Sequence, residues 1–248
     1  MQLTAGTFTT NLVLYMVNAS EVFVENTIGT FSGEAIGVPS GTIFNQASLT
    51  GASVLRKTAL FNSGPIVDIA LASANGTGIN ISDNTNNSGT FTSATTPFTY
   101  TVAANGRVTL MGGTKPPVFY LYGPNAGFLV GTDTDMEFGI IEPQAAGPFN
   151  LASLSGAYMF DTEDPISPNV TLQTGEVTLD GAGNVAGTSD QSSLAGLAQN
   201  QNVSLAYTVS ADGTGTFGTG TTAILISGNK LVFISNTSAE PTITVVEK

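Results

Sequence analysis

The sequence predicts an all-β protein built from tandem antiparallel meander units, and three observations support this. Apolar and polar residues alternate over short stretches such as residues 98–102, which is the period-two pattern of a strand with one buried face. Turn dipeptides, including Asn105-Gly106 and Asp212-Gly213, separate such stretches and predict β-hairpins with type I′ turns. The chain also repeats itself. We therefore expect each complete unit to be an up-and-down, lipocalin-like barrel of about eight strands, with a two-sheet β-sandwich as the alternative.

The repeat sets the expected domain organisation. Residues 44–52 return at 149–157, a displacement of 105 positions, and residues 100–109 return at 207–216. A unit of this length is a small domain rather than a solenoid repeat. We expect a partial β unit over 1–40, formed by the C-terminal strands of a preceding repeat or by a strand-exchange segment. Complete units follow at 41–145 and 146–248.

Composition excludes several classes of function. The net charge is −12, charged residues make up 10% of the chain and only six are cations, so a phosphate-binding surface and nucleic-acid binding are excluded. The chain has no cysteine for disulfides or thiolate sites, and no histidine to act as a general base. This composition is typical of β-rich extracellular or cell-surface proteins. We expect no enzyme activity, no membrane span, and any export signal upstream of Met1.

The elements can be predicted in chain order. The front fragment is expected to hold strands at 11–17, 21–27 and 29–36. In the first complete unit Val67, Ile69 and Leu71 predict the buried face of a strand, and the Asn- and Ser-rich residues 84–96 predict a long hairpin loop. A helical turn is expected at 194–198. The last unit shows nine strand patterns, at 155–161, 169–173, 176–180, 184–189, 203–210, 213–218, 222–227, 230–235 and 241–246.

Several runs carry a resemblance to a known kind of domain. They are residues 119–122, 127–133 and 137–139, preceded by Tyr100-Thr101-Val102 and Asn105-Gly106-Arg107. Together they resemble uncharacterised tandem β-repeat domains of secreted or surface proteins of soil bacteria, of the acidobacterial type. The resemblance implies a β fold and export, and it transfers no catalytic residue.

Acidic residues are the candidates for chemistry. Asp133, Asp135 and Glu137 alternate, so on a strand their carboxylates would share one face and could hold calcium. The alternative is a solvated strand end. No other cofactor is predicted. The group at Asp161, Glu163 and Asp164 could supply paired carboxylates for glycoside hydrolysis or form a polar turn.

The aromatic residues suggest two readings of the first barrel. Phe119, Tyr120, Tyr122 and Phe128 could line a ligand cavity, or they could simply fill the core. A cavity would suit the second of the two functions considered next.

The partial front unit points to self-association. Three strands alone would expose unpaired backbone edges, which strands from a preceding segment or from an identical subunit could cover. We therefore expect a non-enzymatic extracellular structural protein that assembles into a surface array or filament. The alternative is a lipocalin-like barrel that binds a small apolar ligand or a glycan. The residues expected to carry assembly are Leu12, Leu14, Tyr15, Val17, Val22, Phe23 and Val24.

Overall fold

The computed structural model describes residues 2–5, 8–26, 32–61, 64–132, 136–163, 167 and 169–248. In this part of the chain nearly all regular structure is β, with two single-turn 3₁₀ helices, Gln46–Ser48 and Leu151–Ser153. The chain divides into two compact units, Met1–Ile43 and Phe44–Lys248. None of the described helices has the length and apolar character needed to cross a membrane.

The described residues of the first unit form a four-stranded antiparallel sheet with its strands in sequence order. One more strand is present than the sequence predicts, because pairing begins already at Gln2. The strands are β1 (Gln2–Ala5), β2 (Phe8–Asn18), β3 (Glu21–Asn26) and β4 (Ser32–Ile36).

The second unit contains two closed eight-stranded barrels. In the first barrel each strand pairs with its sequence neighbours, and the last strand pairs antiparallel with the first. Its strands are β5 (Thr50–Phe61), β6 (Gly64–Asn75), β7 (Gly78–Asn87), β8 (Thr90–Val102), β9 (Arg107–Met111), β10 (Val118–Gly123), β11 (Ala126–Val130) and β12 (Met136–Pro143).

The second barrel follows the same up-and-down order and closes through its first and last strands. The predicted tandem barrels of about eight strands are therefore confirmed, and neither barrel is a two-sheet sandwich. The strands are β13 (Ser155–Thr162), β14 (Leu172–Asp180), β15 (Asn184–Ser193), β16 (Gly196–Val209), β17 (Thr214–Phe217), β18 (Thr221–Ser227), β19 (Lys230–Ser235) and β20 (Ile243–Glu247).

The hairpins at 105–106 and 212–213 form as predicted, but with a different turn. Within these two turn dipeptides, only the glycines Gly106 and Gly213 have positive φ, at 84° and 88°. In the first barrel the amide of Gly106 donates to the carbonyl of Ala103. The amide of Gly213 donates to Ser210 in the same way. These are three-residue loops in which a type I turn is followed by a left-handed glycine, so the type I′ geometry is not used.

One end of each barrel is covered by the segment that precedes its first strand. Phe44 and Leu49 join the core of the first barrel, and Phe149 and Leu154 join that of the second. The hydroxyl of Tyr100 donates to the carbonyl of Leu49. Tyr207 donates to the equivalent carbonyl, that of Leu154, at 2.9 Å, and to Leu151. We call this the covered end of each barrel and the opposite end the far end.

The outer walls of the two barrels pack against each other. Val54, Val67 and Ile69 from the first barrel are fully buried in an apolar cluster shared with the second. The partners from the second barrel, all on β18 to β20, are Ile224, Ile226, Val232, Ile234, Ile243 and Val245. Full burial of side chains of this size stabilises by about 1.5–3 kcal/mol each. The two barrels therefore form one compact body rather than loosely linked domains.

Polar contacts surround this apolar cluster. Arg56 is 7% exposed, and its guanidinium pairs with Glu142 at 2.8 Å and also with Glu163 of the second barrel. Lys230 of the second barrel pairs with Glu142 at 2.9 Å. The amide nitrogen of the Asn86 side chain donates to two carbonyls of the second barrel, at 2.6 and 3.0 Å. These contacts fix the rotation of one barrel against the other.

Three local predictions are wrong. The strands expected at 169–173 and 176–180 are replaced by the single strand β14, so the last unit has eight strands where nine patterns were expected. Residues 84–96, expected as a loop, belong to β7 and β8, which pair with each other across the turn at Ser88 and Gly89. Asn86 takes part because its amide is satisfied by the second barrel, a contact that no local pattern reveals. Residues 194–198, expected as a helical turn, contain the β15–β16 turn and the start of β16, where Gly196 has φ of 114°.

Candidate functional site

The sheet β1–β4 exposes apolar side chains at most of the predicted assembly positions. Tyr15, Val17 and Phe23 are about half exposed and Leu14 is 40% exposed. Met16, which the prediction omits, is the most exposed at 68%. Val22 and Val24 are partly buried. Leu12 lies in β2 opposite Asn26, and its side chain lies outside the described part of the structure.

The pairing of β2 with β3 is the same as that of β10 with β11. Tyr15 lies opposite Phe23, and 105 positions later Tyr120 lies opposite Phe128. The irregularity that interrupts the first pairing after Met16 interrupts the second after Leu121. In the same way β4 pairs with β3 as β12 pairs with β11, but here the equivalent residues are one position further apart than 105.

This correspondence shows which face of the sheet matches a barrel interior. Leu14 and Met16 are equivalent to Phe119 and Leu121, both of which are at most 3% exposed in the core of the first barrel. Side chains that fill a closed barrel in one copy are thus exposed in the other. The predicted assembly residues Tyr15, Val17 and Phe23 lie on the opposite face of the sheet. They are equivalent to residues that point outward from the first barrel.

A cluster of charged side chains lies inside the far end of the first barrel. The ammonium of Lys57 on β5 lies 3.6 Å from Asp68, 3.2 Å from Asp83 and 3.4 Å from Glu137. Asp68 is 4% exposed and also accepts a hydrogen bond from the hydroxyl of Thr85. Three carboxylates around one cation leave this group with net negative charge when all are ionised.

Burial shapes the protonation of the cluster. Desolvation raises the pKa of Asp68 from 3.8 to about 7, against the opposing attraction of Lys57, and the neighbouring Asp83 raises it further. Desolvation by itself would lower the pKa of Lys57, but the three carboxylates outweigh it and the pKa is raised. The ammonium therefore stays charged, while Asp68 changes protonation near neutral pH.

The same positions in the second barrel are all uncharged. Lys57 and Asp68 correspond to Thr162 and Gln173, which hydrogen bond to each other through the Thr162 hydroxyl and the Gln173 backbone. By strand register, Ser189 of the second barrel is equivalent to Asp83 of the first. Thr242 lies next to the position equivalent to Glu137. The Ser189 hydroxyl is buried and has no hydrogen-bond partner in the described part of the chain.

The acidic candidates have different surroundings. Asp133 and Asp135 lie outside the described residues, and Glu137 points to Lys57. The calcium site therefore stays a prediction, and within the described residues no group of acidic side chains is arranged to hold a metal ion. Glu163 pairs with Arg56, so it acts in the contact between the barrels. Asp161 is exposed on β13, and Asp164 lies outside the described residues.

The aromatic residues do not form a single cluster in a cavity. Phe119 is fully buried in the core of the first barrel. Tyr120 is 47% exposed, and the rings of Tyr122 and Phe128 lie against each other with their centroids 5.2 Å apart. Since neighbours along a strand point to opposite sides, only Phe119 reaches the interior, where it fills the core.

The lysine cluster and the contact between the barrels are the two features that were not predicted from the sequence. Alternation along a strand puts Lys57 on the same face as Leu55, and Asp68 on the same face as Ala70 and Ala72. It does not show that these faces point into the barrel, which only the closed structure does. Residues 223–226, 231–234 and 243–246 are apolar at nearly every position. Such unbroken runs indicate strands buried on both faces.

No protein-family model matches this chain, and no curated protein matches it. Among solved structures it is similar to the crystal structure of kievitone hydratase from Nectria haematococca, at 8% sequence identity and a TM-score of 0.29. The match covers 84% of this chain and 94% of that one. A likeness this weak supports neither a shared activity nor a shared site.

Proposed function

We propose that the chain is a non-enzymatic structural protein of the extracellular space or cell surface that associates with identical subunits through β1–β4. The observation that carries the proposal is the exposure of Leu14 and Met16, whose counterparts Phe119 and Leu121 fill a closed barrel. Covering such apolar side chains stabilises an assembly by about 25 cal/mol per Å² removed from water.

The edges of the sheet provide a second reason for association. In the described sheet β1 and β4 each have one neighbouring strand, so each presents backbone donors and acceptors along its other side. Two barrels of the same chain remove such edges by closing eight strands. Four further strands would complete the sheet in the same way.

A second copy can supply these strands by symmetry. The four strands alternate in direction, so β1 and β4 run opposite ways. A half-turn about the barrel axis places β4 of one subunit beside β1 of its partner, antiparallel, and does the same on the other side. The result is one eight-stranded barrel shared by two chains, with an isologous interface.

This arrangement changes the kind of assembly expected. A shared barrel uses both edges of both sheets, so it gives a closed pair of subunits. An array or filament needs a further self-association surface beyond β1–β4. Low charge and the lack of cysteine and histidine support a structural role outside the cell.

The alternative function, binding of a small apolar ligand, has less support. The apolar part of each barrel interior is occupied by side chains of the chain itself, from Phe44 to Ile141 in the first barrel and from Phe149 to Val246 in the second. The remaining interior positions at the far ends are polar.

Light scattering coupled to size-exclusion chromatography tests the proposal. The chain should have twice the 25.3 kDa mass of one subunit. Met16→Asp places a charge in the shared interior and should give the single-subunit mass. Tyr15→Asp is the matched control, because the equivalent Tyr120 faces solvent, and it should remain paired.

Two results would overturn the proposal. One is a single-subunit mass for the unmodified chain, as expected if the sheet is completed by a segment of its own chain. The other is an equal effect of Met16→Asp and Tyr15→Asp on the mass.

A further inference from the structure

A polar cavity lies at the far end of the second barrel. Its volume is about 250 Å³, slightly below the range of roughly 300–1,000 Å³ typical of sites for drug-sized molecules, so only a smaller molecule fits. It is separate from β1–β4, and it belongs to the compact unit that contains both barrels. Its walls are formed by Asn169, Thr171, Gln173, Phe233, Ser235, Ser238, Glu240, Thr242 and Thr244.

The cavity follows from the comparison with the first barrel. There the corresponding space holds the long side chain of Lys57 and the carboxylates it attracts. In the second barrel the lysine is replaced by Thr162, and Asp68 by Gln173. Removing the ammonium and its counter-ions leaves room, and among the replacing residues Gln173 and Thr242 line that room.

The cavity wall offers both hydrogen-bond donors and acceptors. Five of its nine residues carry hydroxyls and two carry side-chain amides, and groups of both kinds can donate as well as accept. The side chains of Gln173, Thr242 and Thr244 form no hydrogen bond with other side chains in the described part of the protein. Their hydrogen-bonding capacity is therefore free for a bound molecule.

Two further groups restrict what can bind. The Oε2 atom of Glu240 is buried and has no hydrogen-bond partner among the described residues. That atom is closed off from the cavity as well, but Glu240 lines the cavity, and its other carboxylate oxygen, Oε1, can accept a hydrogen bond from a ligand hydroxyl. Phe233 provides the apolar part of the wall, and its ring is stacked on Phe217 with centroids 5.0 Å apart.

We propose that this cavity binds a small, uncharged, polyhydroxylated molecule of the size of one sugar ring. Hydroxyl groups of the ligand match the many two-way hydrogen-bonding groups, one of them donates to Glu240, and the apolar face of the ring lies against Phe233. An organic cation would find one carboxylate among otherwise neutral groups, and an apolar molecule would leave most of the wall unsatisfied.

Binding by the full chain tests this proposal, with D-glucose, N-acetyl-D-glucosamine and myo-inositol as probes at millimolar concentrations in saturation-transfer difference NMR. At least one probe should bind saturably. Thr244→Val removes one hydrogen-bonding group and should raise Kd about fivefold. Thr178→Val is the control, since Thr178 is exposed on β14 outside the cavity, and it should leave Kd unchanged.

Glu240→Gln distinguishes a neutral ligand from a cation. The amide retains an acceptor, so Kd for a sugar should change by about fivefold or less, whereas binding of an amine would be lost. The proposal is overturned if no probe binds saturably, if Thr244→Val binds as tightly as the unmodified chain, or if n-butylamine or an apolar dye binds in preference to all three probes. The subunit mass does not enter this test, so its outcome is independent of the assembly proposal.

Discussion

The covered ends of the two barrels share one design, whereas their far ends differ in charge. Tyr100 and Tyr207 hold equivalent carbonyls, those of Leu49 and Leu154, at the covered ends. The far end of the first barrel contains Lys57 and its three carboxylates. The corresponding positions of the second barrel hold uncharged residues, with Thr162 in place of Lys57. The strand order is identical in both.

This difference separates what maintains the barrel from what can vary inside it. Closure needs eight paired strands and an apolar core at the covered end, and both copies have them. The far end needs only side chains that satisfy one another or water. One copy has ion pairs at this end, and the other has polar groups, neutral except for Glu240, around a cavity.

Substitution of the buried lysine should have the largest effect. Lys57→Met removes the cation and leaves Asp68, Asp83 and Glu137 close together without compensation, so the free energy of unfolding should fall by about 3–5 kcal/mol. Urea unfolding of the full chain at pH 8 measures this. Thr162→Val, at the equivalent position of the second barrel, should cost about 1 kcal/mol. Equal losses in the two variants would contradict the contrast between the far ends.

The pH dependence of stability should come from the first barrel. The pKa of Asp68 is about 7 in the folded chain and 3.8 when unfolded, because burial disfavours its charged form. Between pH 4 and 7 the folded state holds a proton that the unfolded state releases. The contribution of Asp68 to stability is therefore full below about pH 4 and is lost as the pH rises to 7.

Asp68→Asn isolates this contribution from that of other carboxylates. Urea unfolding at pH 5 and pH 8 should show that, over this interval, the free energy of unfolding falls by about 2–4 kcal/mol more in the unmodified chain than in the variant. Thr174→Val, on an exposed position of the second barrel, serves as the control and should retain the unmodified pH dependence. An Asp68→Asn variant with unchanged pH dependence would show that Asp68 is ionised throughout.

The tyrosine tethers should give the smallest and most similar effects. Tyr100→Phe and Tyr207→Phe each remove a hydroxyl that holds the covering segment, so each should lower the free energy of unfolding by about 1 kcal/mol. Tyr207→Phe is expected to cost slightly more, since that hydroxyl lies near two carbonyls. Urea unfolding at pH 7 checks both, and a negligible loss in one barrel would show that the covered ends differ.

Much of the fold could be predicted because it depends on short-range patterns. Alternation and turn dipeptides located most strands, and the repeat showed that the same unit occurs more than once. The errors fall where distant residues decide the structure. Asn86 is strand because the second barrel satisfies its amide. The face of Val67 and Ile69 is buried as predicted, but against the second barrel, and the opposite face, with Asp68 and Ala70, is buried as well, in the barrel interior.

The sequence by itself determined the all-β class and a meander of about eight strands in each complete unit, since these follow from period-two patterning and local turn chemistry. Only the tertiary structure brought Lys57 together with Asp68, Asp83 and Glu137, joined the walls of the two barrels, and left a cavity beside Gln173 and Thr244. These features depend on the register of strands far apart in the chain, because closure of the barrel decides which side chains face one another across it.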